Sequence, residues 1–307
     1  MPDPIQTFLQ TFSSRREVRA IALSHPLTTP LEQRFQKPQL LSFERRLDAP
    51  LEEETPELCI LRFPFESLER WRDWDALERE APLHLMFRLE PLYDPAEGLK
   101  RVAKVFGALE PKTLRKHASL QLKAARRQLE DWQKRASRPD HRSSEQILAL
   151  VRARTLLRTH LYPALLSRRG VWFGSQWGYP ELLRDLALLE APRAVYALDE
   201  LYGFDGEAEA RKLIPATRGL GLSGAEREAK RALEGAYFDG AVMFLRDETA
   251  KRRAEDLSGW THLSPSRQER LSVLLGLERA PLGLVALATV ERVLLEVERV
   301  VGLWATS

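Results

Sequence analysis

The densest group of chemically capable side chains lies between residues 168 and 179. It reads Arg168-Arg169-Gly170-Val171-Trp172-Phe173-Gly174-Ser175-Gln176-Trp177-Gly178-Tyr179. Aromatic rings stack on bases and guanidinium groups neutralise phosphate, so this composition suits contact with a nucleotide or a nucleic acid. The competing reading is a loop that plugs the gap between the two parts with large apolar side chains. Arg154 and His160 form a second candidate, with R-x5-H spacing on one helical pattern. An arginine and a histidine so placed can converge on a phosphodiester, although a chance pairing in an arginine-rich helix explains the same spacing.

Other chemistries find no support. His25, His84, His117, His141 and His262 show no metal-ligand spacing, and HExxH does not occur. There is no Walker A loop and no G-x-G-x-x-G. Gly174-Ser175-Gln176-Trp177-Gly178 lacks the frame of a nucleophile elbow. The glycine-rich Gly219–Gly224 follows no strand and reads as a loop, with Ser223 and Glu226 as a capping box for the next helix. Cys59 is the only cysteine, so no internal disulfide and no cysteine-based zinc site can form. It sits in the apolar run Leu58–Leu61 and reads as a small buried hydrophobe.

The elements that must position these residues change character along the chain. An amphipathic helix is expected over 4–13, strands over 18–23, 40–47 and 57–64, and a proline-rich loop between the first two strands. A helix over 66–80, a strand over 84–93 and a helix opened by Asp94 and Pro95 complete an α+β unit. From Pro111 onward every pattern is helical. Leu114, Ala118, Leu122, Ala125, Leu129, Trp132 and Ala136 step by four and three, which is one apolar stripe on a long helix. Ile147, Val151, Leu157, Leu161 and Leu165 mark a second, joined to the first by a turn at 138–143 as a helical hairpin. Shorter helices are expected near 180–190, 192–203, 206–214, 265–276 and 283–303. The expected division is an α+β domain over 1–110 and a helical domain over 111–307.

A chain of 307 residues with 44% apolar and 30% charged residues is globular and long enough for two cores. Net charge is +3 but uneven. Residues 44–90 hold 13 acidic and 7 basic side chains, whereas 111–170 hold 15 basic and 4 acidic. The basic tract suits phosphate or nucleic acid, a solvated helix face, or docking on the acidic part. No secretory leader is visible, and the most apolar stretch, Leu282–Val290, is too short to cross a bilayer. A cytoplasmic protein without membrane contact is expected.

The order of landmarks carries a resemblance. Strand 57–63 runs into a helix, then into a strand ending Pro91-Leu92-Tyr93-Asp94, then into a helix at Pro95. Downstream, a helical hairpin leads to residues 166–179 and then Pro180-Glu181-Leu182-Leu183-Arg184-Asp185-Leu186. Residues 4 to 190 thereby resemble the polymerase-β-type nucleotidyltransferases, in the minimal and aminoglycoside-type layout. The resemblance implies an α+β fold, a small mixed sheet followed by an all-α bundle, with a nucleotide in the cleft between the two parts. It also implies Mg²⁺, held by two carboxylates at i and i+2 on one strand and a third on a neighbouring strand.

This chain departs from that pattern. The expected Gly-Ser turn is represented by Ser24 alone. The acids at hand are Glu44 and Asp48, which on a strand would lie ~13 Å apart. The strand 57–63 offers Glu57 and Arg62 where the third acid belongs. Under the resemblance, Ser24, Arg62, Arg169 and Trp177 fall at the nucleotide, and Glu44 and Asp48 at the metal. Either the site is degenerate, or other acids supply the ligands. Two further functions stay open: a nucleic-acid-binding protein using basic helices 112–169, and a structural or interaction protein, as a homodimer.

Overall fold

The computed structural model describes residues 3–26, 37–137, 143–173, 178–187 and 190–303. The chain divides into two compact units. One comprises Met1–Thr113 with Gly170–Ser175, the other Leu114–Arg169 with Gln176–Ser307.

The first unit is built on five strands: β1 Val18–Ser24, β2 Gln39–Glu44, β3 Leu51–Glu54, β4 Cys59–Pro64 and β5 Leu89–Tyr93. Their order in the sheet is β3-β4-β2-β1-β5. The β2–β4 pair is parallel and the other three pairs are antiparallel, so the sheet is mixed and the fold class is α+β. Alternation along β2 and β4 sends their side chains to two faces. On one face Leu40 and Ile60 pack with Val18, Ile21, Leu58 and Phe8, the last on the helix Pro4–Phe12. On the other face Phe43 and Phe63 stack 5.6 Å apart and meet Trp71 edge-on at 6.0 and 5.4 Å.

The local differences from the sequence pattern have physical causes. The helix expected over 66–80 is two pieces, Phe65–Arg70 and Trp74–Glu80. Asp73 breaks it, because its carboxylate accepts from the Ala76 amide and starts a second N-terminus. The strand expected from 84 begins at Leu89, because Leu83–Met86 forms one helical turn after Pro82. Asp94 caps the next helix from a distance. That helix starts at Gly98, and the Asp94 carboxylate accepts from the amides of Gly98 (2.8 Å) and Lys100 (3.1 Å).

The described residues of the second unit are helical. The long helix Pro111–Ala136 buries Leu114, Ala118, Leu122, Ala125, Leu129 and Ala136, the stripe expected from sequence. Two of its side chains bind the C-terminal helix Gly283–Leu303, Arg126 to Glu298 and Gln133 to Glu291. The second long pattern is one helix interrupted in register. Ser143–Leu156 passes into a π turn at Leu157–Leu161 and resumes at Tyr162–Ser167. The turn expected at 138–143 falls largely outside the described residues. Five further helices follow: Tyr179–Ala187, Pro192–Tyr202, Gly206–Ala216, Ser223–Glu234 and Phe238–Arg252. The capping box at Ser223 does not form. Leu222 is the N-cap, and Glu226 binds Lys230 and the Thr217 hydroxyl instead. Pro265–Leu275 lies between these and the C-terminal helix.

Buried arginines tie the helices together. Arg154 donates to the carbonyls of Leu201 and Leu275. Arg158 pairs with Asp247, which also accepts from the Tyr202 hydroxyl. Arg246, fully buried, donates to Glu209 at 2.6 Å. Its guanidinium lies against Gly276, which has φ 66°. Among the described residues, no helix is long and apolar enough to cross a membrane.

Candidate functional site

The polar centre of the first unit forms where β2 and β4 run side by side. Ser42 and Glu44 are two residues apart on β2 and therefore face the same side. The parallel ladder sets Arg62 of β4 directly opposite Ser42. All three side chains meet. Arg62 donates from Nε to Glu44 Oε1 (2.8 Å) and from an Nη to Oε2 (2.5 Å). The Ser42 hydroxyl donates to Glu44 Oε1 at 2.8 Å. Bidentate guanidinium–carboxylate geometry is the strong form of this bond.

Burial alone would raise the pKa of the Glu44 carboxyl. The hydrogen bonds from Arg62 and Ser42, and the positive charges of Arg62 and Arg15, outweigh it and hold the carboxyl below the ordinary range. Arg62 is correspondingly held above its ordinary value, chiefly by its hydrogen bond to Glu44. Glu53 of β3 lies 3.9 Å from Arg62 and adds a weaker contact.

The cluster places two side chains at i and i+2 on one strand and a third on the neighbouring strand. They are serine, glutamate and arginine. The donor set does not suit a pair of Mg²⁺ ions, which need several hard anionic oxygens. Here the one carboxylate has both oxygens committed to a cation. Among the described residues, no group of three or more His, Cys, Asp or Glu side chains is placed to hold a metal.

The other candidates lie elsewhere. β2 ends at Glu44, Arg46 turns the chain with φ 69°, and Asp48 is exposed in the loop beyond. Glu44 and Asp48 therefore do not share a strand face. Ser24 pairs with Gln39 while Glu44 pairs with Val18, at the two ends of the β1–β2 ladder. Five rungs separate them, about 17 Å. The Ser24 hydroxyl is buried and donates to the Leu85 carbonyl at 2.8 Å. Arg169 and Arg168 both bind Glu190, at 2.9 and 3.3 Å. Trp177 lies outside the described residues.

Trp172 of the aromatic loop is buried among Trp74, Phe87 and Phe106, with ring centroids 5.3 to 6.0 Å away. Its ring is therefore part of the core of the first unit. Arg154 is fully buried and bound to backbone carbonyls. His160, in the π turn, is flanked by Gln121 (2.7 Å) and Gln128 (3.0 Å), and burial lowers its pKa. Neither side chain has the other among its hydrogen-bond partners.

Sequence reasoning missed Ser42. Its signal was available: Leu40-Leu41-Ser42-Phe43-Glu44 places a hydroxyl and a carboxylate at i and i+2 in an otherwise apolar strand.

No family model and no curated protein sequence matches the chain. Among solved structures, one match is a nucleotidyltransferase-like protein from Exiguobacterium sibiricum 255-15. It shares 13% identity, with 98% of this chain and 76% of that chain covered, at a TM-score of 0.38.

Proposed function

We propose that the chain is a nucleotidyltransferase-like protein that binds a nucleotide without metal and does not carry out two-metal transfer. The Ser42–Glu44–Arg62 cluster carries this reading. Two-metal catalysis needs anionic oxygens to hold the cations that polarise the transferred phosphate. Here the three side chains that meet are a serine, a glutamate and an arginine, and a guanidinium binds phosphate oxygens directly.

Calorimetric titration of ATP, GTP, CTP and UTP, with Mg²⁺ and with EDTA, tests the proposal. The expected result is binding of at least one nucleotide that EDTA leaves unchanged, with no pyrophosphate released on incubation. Binding that requires Mg²⁺ together with pyrophosphate release would overturn it, as would no binding of any nucleotide.

A second reading rests on the exposed face of the helix Pro111–Ala136, where Lys112, Lys123, Arg127 and Lys134 all face solvent. It assigns single-stranded nucleic acid to that face. Its mark is an affinity that falls steeply with salt as counterions are released. An affinity independent of salt rejects it.

A further inference from the structure

Two arginines of the second unit are buried where two of its helices end. Arg154, on the helix Ser143–Leu156, donates to the carbonyls of Leu201 and Leu275, in the last turns of Pro192–Tyr202 and Pro265–Leu275. Arg246, on Phe238–Arg252, lies against the glycines that follow those helices, Gly203 and Gly276. A Cβ built on them would stand 3.5 and 2.6 Å from its Nη1 atom. The two guanidinium groups therefore hold the same pair of helix C-termini from adjacent positions. Burial first, and then the like charge of Arg154, push the Arg246 guanidinium down to about 9.

The charges that meet here do not balance. Arg246 pairs with Glu209, and Arg158 pairs with Asp247, whose other oxygen accepts from the Tyr202 hydroxyl. Arg279 pairs with Asp205. Arg154 has carbonyls as its hydrogen-bond partners and the face of Tyr202 at 4.9 Å. Four arginines and three acids leave one positive charge, which the negative ends of two helix dipoles offset in part. Donors are left over as well. Nη1 of Arg154 and Nη1 of Arg246 are buried and have no hydrogen-bond partner among the described residues. Buried donors without a partner are uncommon, and a bound ion or water is a usual cause.

We propose that one halide ion, chloride in ordinary buffers, is bound between Arg154 and Arg246 and accepts from the Nη1 group of each. It supplies the one negative charge that the cluster lacks and satisfies both leftover donors. A water molecule would accept the same hydrogen bonds and leave the excess charge buried, which costs stability. A dianion would overshoot the single excess charge. The ion joins the ends of Pro192–Tyr202 and Pro265–Leu275 through the two arginines, so the second unit is more stable with it than without it.

Two measurements on the full chain test this. Crystals grown in sodium bromide are expected to show an anomalous scattering peak within hydrogen-bond reach of both Nη1 atoms. Melting temperature is then followed as sodium gluconate is exchanged for sodium chloride at constant ionic strength. A ligand of the native state raises it in a saturable way, and gluconate is too large to enter. Arg154→Met removes one donor together with the excess charge. It also loses the two carbonyl bonds and is expected to melt lower in gluconate, so the readout is the increment that chloride adds, which is expected to vanish. Should that variant fail to fold, the bromide peak and the chloride increment of the native chain decide alone. No bromide peak at the pair, a peak at crystal concentration with equal melting in chloride and gluconate, or a chloride increment that survives in Arg154→Met overturns the proposal.

Discussion

Breaking the Glu44–Arg62 pair from its two sides is expected to give unequal results, and the structure sets the difference. The Glu44 side chain is 7% exposed and that of Arg62 is 23% exposed. Arg62→Met leaves a buried carboxylate with the Ser42 hydroxyl as its remaining hydrogen-bond donor. Stranding a buried charge in this way costs about 3–5 kcal/mol. Glu44→Gln leaves a cation that keeps a route to solvent and Glu53 at 3.9 Å, and the new amide still accepts from Ser42. That loss is about 1–2 kcal/mol.

The two cases also differ in their response to pH. In the native chain Glu44 is held below its ordinary pKa, so its contribution is present above the unfolded value, near 4.5, and is lost as pH falls through the folded value. Without Arg62 the raising effect of burial is opposed far less, and the folded carboxyl moves above its unfolded value. Arg62→Met is then expected to be more stable at pH 5 than at pH 7, the reverse of the native trend. Hydrogen exchange over 39–44 and 59–64, corrected for intrinsic rates, reads both effects. If Arg62→Met were no worse than Glu44→Gln at pH 7, or lost protection between pH 7 and pH 5, the account of the pair would be wrong.

Gly276→Ala puts a side chain at φ 66° and a Cβ 2.4 Å from the buried Arg246 guanidinium. The left-handed residue costs about 1–2 kcal/mol and displacement of Arg246 from Glu209 about 3–5 more. A urea unfolding midpoint equal to that of the native protein refutes this. Cys59 is pushed up to about 11, first by burial and then by Glu52 and Glu54, so the native thiol should react with Ellman's reagent at pH 8 far more slowly than in urea. Equal rates would contradict that environment. His84 is lowered by burial and contributes stability above the unfolded value near 6.5 that fades as pH falls through the folded one. His84→Gln should flatten the pH dependence of unfolding between pH 7 and pH 5, and an unchanged slope counts against it.

Much of the fold was legible because its signals are local. The run Leu58–Phe63 between two prolines gave β4, and the apolar stripe from Leu114 to Ala136 gave the long helix. β3 was not legible. Leu51-Glu52-Glu53-Glu54 is exposed at every position, so no buried face marks it as a strand, and pairing to β4 makes it one. The π turn at Leu157–Leu161 was hidden for a different reason: apolar residues every four positions continue through it, and partners distant in sequence, the half-buried Asp247 and the buried Tyr202, sit beside it. The candidate site was half legible. Glu44 and Arg62 each stood out as charges in apolar strands. Their pairing depends on a parallel register between positions 20 residues apart, which sequence spacing alone does not fix.

That register has a consequence for how the sheet avoids mispairing. A one-residue slip of β4 against β2 would turn every buried side chain to the wrong face and is rejected by the apolar residues alone. A two-residue slip returns every side chain to its own face, so the inside–outside alternation alone does not reject it. In one direction it sets Arg62 opposite Leu40, about 7 Å further from Glu44, and strands a carboxylate in the sheet. In the other it sets Arg62 opposite Glu44, which keeps the pair, and sets Ile60 against the Ser42 hydroxyl. The ion pair therefore rejects the first of these alignments, which face alternation alone would admit. A strand pair with apolar residues at all three positions would lose that discrimination while gaining apolar contact.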